Sequence, residues 1–188
     1  LHRAGTPAGG HRVKFTQAGI SGAWIIERVP ALDERGSFTS VWESDLFDSR
    51  GLMPSIDQVS TAHNLLSRTL RGMHFQAPPF EQTKLVSCSA GAVYDVAIDL
   101  RPHSPTFKQW CGIELRAETG LSLYIPAGCA HGYLTLQENS VVNYLISGKF
   151  SPNHAQGVRW NDPIFGIRWP ATPTVIAPRD AQYPDFPG

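Results

Sequence analysis

The sequence predicts one all-β domain, a barrel or jelly roll with irregular ends, and three observations predict it. Short β-rich runs recur through the middle of the chain. Each is about one strand long, and turn residues bound them at the ~8–12-residue spacing of sandwiches and barrels. The 17 Gly and 15 Pro among 188 residues are spread along the chain rather than gathered into a linker. Helix signals are weak, and only residues 44–50 carry them, with Ser44 as N-cap, Gly51 as a C-terminal stop and Pro54 breaking the chain beyond.

The predicted strands are 84–89, 92–99, 112–115, 121–125, 132–136 and 141–147. In 92–99, Ala92, Tyr94, Val96 and Ile98 share one face, while Val93, Asp95, Ala97 and Asp99 share the other. The first set is the better core face, which sends both carboxylates the opposite way. Residues 72–76 also read as a strand. Lys84 begins the next one after the Pro78-Pro79 turn, and a hairpin here sets His74 and Lys84 on neighbouring strands facing one cavity. After Trp160 the tail holds six prolines, from Pro163 to Pro187, and is expected to wrap the surface as extended coil with one short helix. Length fits a single domain over 21–188 behind a flexible segment 1–20.

Composition excludes several roles. Lys plus Arg is 16 and Asp plus Glu is 16, so the basic footprint of a nucleic-acid binder is missing. No apolar run approaches the ~18 residues of a membrane span. Residues 1–10 lack the apolar stretch of a secretory signal, and a first residue of Leu rather than Met points to a trimmed or tagged start. Cys88, Cys111 and Cys129 are odd in number and lack metal spacing. They read as small buried residues in a reducing compartment, hence a cytoplasmic protein.

Chemistry-bearing side chains gather in four segments: Arg71-Gly72-Met73-His74-Phe75-Gln76 followed by Gln82 and Lys84; Pro126-Ala127-Gly128-Cys129-Ala130-His131-Gly132-Tyr133; the strand ending at Tyr144; and Trp160-Asn161-Asp162-Pro163. Taken singly, each has a plain structural explanation. His74 is a satisfied core histidine, Lys84 snorkels, His131 opens a hairpin strand, Tyr144 packs, and Asp162 precedes a turn proline.

Together they look different. A Pro-x-Gly-x-x-His turn downstream of a His-bearing strand resembles the two half-motifs of the cupin superfamily. Metal-binding cupins use a His-x-His pair plus a Glu. Here the first half is His74-Phe75-Gln76, and Pro78, Pro79 and Gln82 stand where the Glu belongs. Two lone imidazoles do not complete a three-ligand catalytic site. The expectation is therefore a cupin jelly roll with no metal and no cofactor, in which His74 is a base. The blocks Arg71 to Gln76, Lys84-Leu85-Val86, Asp95 to Arg101, Ser104 to Phe107, Pro126 to Tyr133, Tyr144, Trp160 to Pro163 and Trp169-Pro170 resemble the dTDP-4-dehydrorhamnose 3,5-epimerase family. The resemblance runs in family order from about Trp24 to Pro170.

That family epimerises carbons flanking the ketone of a nucleotide-linked 4-keto-6-deoxy sugar. The resemblance implies His74 as base, Asp162 as the carboxylate orienting it, Lys84 as the cation beside the enolate and Tyr144 as the acid on the far face. It implies His131 as a substrate contact or support, and Arg71 on the diphosphate. Arg35 and Phe38 match a ribbon that crosses to the partner of a homodimer through N-terminal strand exchange. Gln58, Asn64 and Gln76 are further binding candidates, and the implied ligand is a dTDP-linked 4-keto-6-deoxy sugar. Four positions depart from the pattern: Ser40 in place of Glu, Arg68 in place of Gly, Leu145 in place of Lys, and Tyr133 in place of Phe, which adds a hydroxyl near the mouth. None is expected to touch the four catalytic groups. They suit a specialised member serving a secondary-metabolite pathway, with a single-site epimerase or ketoisomerase, a non-catalytic sugar-nucleotide binding module and a metal-dependent dioxygenase as the other readings.

Overall fold

Strand periodicity sorts side chains onto two faces. In the computed structural model of the chain, which describes residues 13–53 and 55–187, the inner faces of two antiparallel sheets meet. The first sheet runs in the order β1 (Val13–Gln17), β2 (Trp24–Arg28), β10 (Leu121–Ile125), β7 (Thr83–Ala90), β12 (Ser140–Ser147), β5 (Gln58–Asn64). The second runs β13 (Ala155–Gly157), β6 (Thr69–Gln76), β11 (Cys129–Thr135), β8 (Ala92–Asp99), β9 (Trp110–Arg116), with β14 (Val175–Ile176) parallel to β6. A separate ribbon pairs β3 (Ala31–Asp33) with β4 (Gly36–Phe38). Among the described residues, two short α-helices, α1 (Ser44–Asp48) and α2 (Pro178–Ala181), and a 3₁₀ turn at Pro152–His154 accompany the strands. This is the all-β, cupin-type jelly roll with an irregular tail that the sequence predicts, and its six predicted strands are β7 to β12. Among the described residues no helix is long and apolar enough to cross a membrane.

Three apolar clusters hold the layers together. Between the sheets, Val86, Cys88, Leu123 and Val142 from one side meet Val93, Ala97, Leu115 and Cys129 from the other. The outer face of the second sheet is covered by the tail, where Val158, Phe165, Trp169 and Phe186 pack on Met73, Val96 and Ile98. The outer face of the first sheet is covered by α1 and its flanks, with Phe47 and Met53 on Ile26, Leu85 and Tyr124. All three cysteines are free and buried.

Several sequence expectations change. Part of the segment expected to be flexible is ordered: β1 pairs along β2, and Ala18 and Ile20 lie in the inter-sheet core. Residues 1–12 and Pro54 lie outside the described residues. The cap of α1 is Glu43, one residue before Ser44, and it makes no side-chain cap bond. Gly51 does stop the turn, at φ +65°, as a left-handed glycine does at a helix end. Both faces of β8 are buried, because the tail covers the outer one. The carboxylates of Asp95 and Asp99 therefore point between the sheets, fully buried. Asp99 binds the following loop through Arg101, Ser104 and Thr106. Burial raises its pKa, but these hydrogen bonds outweigh it and hold the carboxyl at about 2.

His74 and Lys84 are not on a hairpin. β6 and β7 belong to different sheets, so the two side chains approach from opposite walls. A register shift between β6 and β11 lies beside them, between His131 and Tyr133. There the backbones nearly touch: a Cβ on Gly72, at φ +134°, would lie 2.5 Å from the Gly132 Cα. Only glycine fits such an approach. The irregularity also lets Arg71 and His74, three residues apart, line the same cavity, which strict alternation would forbid.

Candidate active site

At one end of the inter-sheet space the apolar filling gives way to a cavity of about 350 Å³, within the ~300–1,000 Å³ range of small-molecule sites. Arg71, His74 and Gln76 reach it from β6, and His131 and Tyr133 from β11. Lys84 from β7, Tyr144 from β12 and Gln58 from β5 reach it from the facing sheet. Arg179 of α2 and Phe150 also line it. His74, Lys84, Tyr144, His131, Arg71, Gln58 and Gln76, all singled out in the sequence, thus share one cavity.

The carboxylate beside His74 is a correction. Asp180, not Asp162, lies 2.8 Å from His74 Nε2 through its Oδ1, and its Oδ2 accepts the Gly72 N–H at 3.0 Å. Asp162 is buried elsewhere in the tail, where its oxygens accept the N–H groups of Ile164 and Phe186 at 2.9 and 2.6 Å. Asp162 is a turn-binding residue. Burial pushes the Asp180 carboxyl up, but the bonds from His74 and Gly72, with Arg179 nearby, leave it below its ordinary value. It stays ionised at neutral pH, so it accepts the Nε2–H of His74 and leaves the neutral ring's lone pair on Nδ1. Tyr183, two residues past α2, sets its ring edge-on to His74 at 5.9 Å.

A second imidazole is held the same way. His131 Nε2 lies 2.8 Å from Asp95 Oδ1, with both side chains buried. Burial lowers the His131 pKa against the pull of Asp95. Asp95 also attracts Lys84, whose pKa burial nevertheless lowers to about 8. Tyr144 stands edge-on to His131 at 5.8 Å, and burial raises its phenol well above the usual 10. Among the described residues no group of three or more His, Cys, Asp or Glu is arranged to hold a metal ion; each of these two imidazoles instead faces one carboxylate.

Other assignments move outward. Asn64 is 2% exposed and lies behind the cavity wall. Its Oδ1 accepts Arg71 Nε at 2.9 Å and the Tyr133 hydroxyl at 3.1 Å, so it supports the site rather than lining it. Gln76 lines the cavity, but its amide is taken up by Phe80, Lys149 and Ser151 of the backbone. Arg35 and Phe38 sit on the exposed β3–β4 ribbon and do not line this chain's cavity. Arg35 is bound to Asp33 there. Arg68 adopts φ +56°, the left-handed backbone that suits the glycine it replaces. Leu145 packs with the outer cluster, and neither residue reaches the cavity. Tyr133, in contrast, lines the same cavity as His74, Lys84 and Tyr144.

Sequence reasoning missed Asp180, Arg179 and the role of Asp95. Asp180 is separated from His74 by 106 residues, and no spacing rule connects them. Its one local signal is the Pro178 that opens α2. Asp95 was visible as an inward-alternating carboxylate on a β-rich run, had both faces of β8 been taken as buried.

A profile of the dTDP-4-dehydrorhamnose 3,5-epimerase family matches residues 17–187. A dTDP-4-dehydrorhamnose 3,5-epimerase of Sinorhizobium fredii is 39% identical over 155 residues, which is 82% of this chain and 80% of that protein. The crystal structure of the Bacillus anthracis dTDP-4-dehydrorhamnose 3,5-epimerase with TDP and PPi bound superposes with a TM-score of 0.89 at 36% identity, covering 93% of this chain and all of that one. A 3′-monoepimerase of Streptomyces bikiniensis in complex with dTDP-quinovose superposes with a TM-score of 0.82 at 32% identity, covering 89% and 85%. The fold, the cavity and these likenesses agree, and the chain belongs to the dTDP-4-dehydrorhamnose 3,5-epimerase family.

Proposed function

We propose that this member of the epimerase family inverts one or both carbons flanking the ketone of a dTDP-4-keto-6-deoxyhexose, with His74 as base and Tyr144 as acid. One observation carries the reading: an imidazole backed by a carboxylate on one sheet meets an ammonium and a phenol on the facing sheet across a single cavity. The ketone of the substrate already acidifies its neighbouring C–H bonds. A base, a cation at the oxygen and an acid therefore suffice, and no redox step is needed.

In this reading His74 Nδ1 takes the α-proton, and Asp180 stabilises the imidazolium that forms. Charge developing on the carbonyl oxygen meets Lys84, which is protonated below about pH 8. Tyr144, kept protonated by its burial, delivers a proton to the opposite face. Returned from that side, the proton inverts the carbon. Arg71 and Arg179 both line the cavity, and two planar guanidinia suit a diphosphate. His131, held by Asp95, completes the wall beside Tyr144. The likeness to a 3′-monoepimerase as well as to 3,5-epimerases supports inversion at one carbon as readily as at two.

The same reading extends to assembly and location. The β3–β4 ribbon is exposed at every residue, and Leu32 on it is 77% exposed. An exposed ribbon that carries Leu32, Arg35 and Phe38 suits exchange with a second copy in a homodimer, where it would help close the partner's cavity. A cytoplasmic location fits the three buried free thiols.

Incubated in D2O with dTDP-4-keto-6-deoxyglucose, the protein should place deuterium at C3, C5 or both, and His74→Ala should abolish the exchange. An NMR spectrum with no deuterium at either carbon contradicts the activity on that sugar. Asp180→Asn should lower kcat at least a hundredfold, in line with the ~10²–10⁴ contribution of a general base. Asp162→Asn should instead cost ~1 kcal/mol of stability in a urea melt with kcat near that of the parent; the reverse pattern would restore Asp162 to the dyad. In the free enzyme kcat/KM should fall above about pH 8 as Lys84 loses its proton, and in Lys84→Arg that alkaline limb should move out of range, since guanidinium stays charged to pH ~12. An alkaline limb that stays in place rules out Lys84 as its source. Light scattering should give twice the 20.6 kDa chain mass, and a monomer at micromolar concentration would remove the ribbon exchange.

A further inference from the structure

The strand beside His74 carries no side chain where a cross-strand neighbour would stand. Gly157 of β13 is the Cα partner of His74 on β6, and paired residues share one face of a sheet. Backbone conformation does not require the glycine, since its φ is not left-handed. Space does. A Cβ there would lie 2.7 Å from Tyr183 Cδ2 and would overlap Cε2 and Cζ of the same ring. Tyr183 thus occupies the slot that Gly157 leaves open, edge-on to the imidazole, with centroids 5.9 Å apart and planes at 74°. The chain is pinned on both sides of it. Asp180, three residues before, accepts the Gly72 N–H, and the Pro184 carbonyl just after accepts the Arg159 N–H at 3.2 Å. The Arg179 guanidinium lies 5.8 Å from the centre of the same ring. The Tyr183 hydroxyl is buried without a hydrogen-bond partner among the described residues, so the contact it offers His74 is the ring itself.

We propose that Tyr183 is a positioning residue for the base: its ring fixes the plane of the His74 imidazole, and with it the aim of Nδ1 at the α-proton. The proposal rests on His74 being the base, as read above. One hydrogen bond does not fix that plane. The torsion that turns an imidazole joins an sp³ to an sp² carbon, and its profile is broad. Asp180 holds Nε2, at the far end of the ring and close to the Cβ–Cγ axis about which it turns. Nδ1 lies farther from that axis. A turn that barely strains the Asp180 contact therefore still swings the lone pair away from the substrate. His74 keeps 42% of its side chain accessible, so tight packing does not hold the plane either. The edge of the Tyr183 contact supplies the stop, in an arrangement that aromatic rings favour. Two residues of the tail, three apart, restrain the base in different ways: Asp180 sets its tautomer and Tyr183 its plane. Proton abstraction depends steeply on such aim, because a misplacement of about 1 Å can cost ~10²-fold in rate.

Tyr183→Ala should lower the rate of deuterium exchange at the α-carbon of dTDP-4-keto-6-deoxyglucose in D2O about ten- to hundredfold, with KM near the parent value. Tyr183→Phe, which keeps the ring, should restore the parent rate. Gly157→Ala should reproduce the loss from the other side of the contact by displacing the ring. The same substitution made in Tyr183→Ala, where the slot is empty, should add nothing. Two readouts separate positioning from a loosened tail. Circular dichroism at the assay temperature should show Tyr183→Ala as folded as the parent, and the His74 Nε2–H proton held by Asp180 should persist in its NMR spectrum. The proposal is overturned by a Tyr183→Ala or folded Gly157→Ala protein that exchanges at the parent rate, or by a Tyr183→Phe protein as slow as Tyr183→Ala. It is overturned equally by a loss that only matches the fall in folded protein, or that comes with loss of the Nε2–H signal. Failure of the underlying reading looks different: His74→Ala would then keep the exchange, whatever stands at position 183.

Discussion

Each imidazole of the cavity has a carboxylate behind it, and the rest of the site is arranged around that constraint. Asp180 backs His74 and Asp95 backs His131, both at 2.8 Å. An unpaired charge buried this far from water would cost several kcal/mol, so neither carboxylate is tolerable without its ring, and neither ring is free to turn. The two pairs do different work. His74 is the more exposed, with 42% of its side chain accessible, and its free ring nitrogen can meet a substrate. His131 is 4% exposed and acts as a rigid wall for Tyr144. The Asp95 charge also offsets part of the burial that lowers the Lys84 pKa, keeping an ammonium available near neutral pH.

The strands that make the core also make the site, divided by position along each strand. On β7 the inward series is Lys84, Val86, Cys88, with the cation at the cavity end and the other two in the core. On β12 Tyr144 faces the cavity while Val142 fills the core. Sites carried on sheet strands are held more precisely than sites on loops. Asp180 and Arg179 instead arrive on the tail. That tail packs its aromatic residues on the outer face of the second sheet and returns to β6 through the Gly72 N–H. The tail that packs on this sheet thus also carries the carboxylate that holds His74.

Much of this was legible in the sequence, and the failures have physical causes. β7 to β12 were readable because their β-rich runs are bounded by turn residues. β1 and β5 were not, since they mix polar and apolar residues at the edges of the first sheet, where one face stays wet. His74, Lys84, Tyr144 and His131 were found through motif blocks local in sequence. Asp180 was missed because its contact with His74 is purely tertiary. Asp95 was turned outward because alternation alone cannot show that a tail will cover the second face of β8. Asn64 and Gln76 were read as ligand contacts, yet their amides are consumed by Arg71, Tyr133 and backbone groups, a distinction that only coordinates reveal.

The proposed chemistry requires a sugar ring held between walls contributed by two sheets. A crystal structure with an unreactive dTDP-hexose bound tests this most directly. The account predicts the pyranose between the imidazole of residue 74 and the phenol of residue 144, with its C4 oxygen toward the Lys84 ammonium and its diphosphate on the Arg71 and Arg179 guanidinia. A ring seated outside the cavity, or one that meets both the imidazole and the phenol on the same face, would contradict it.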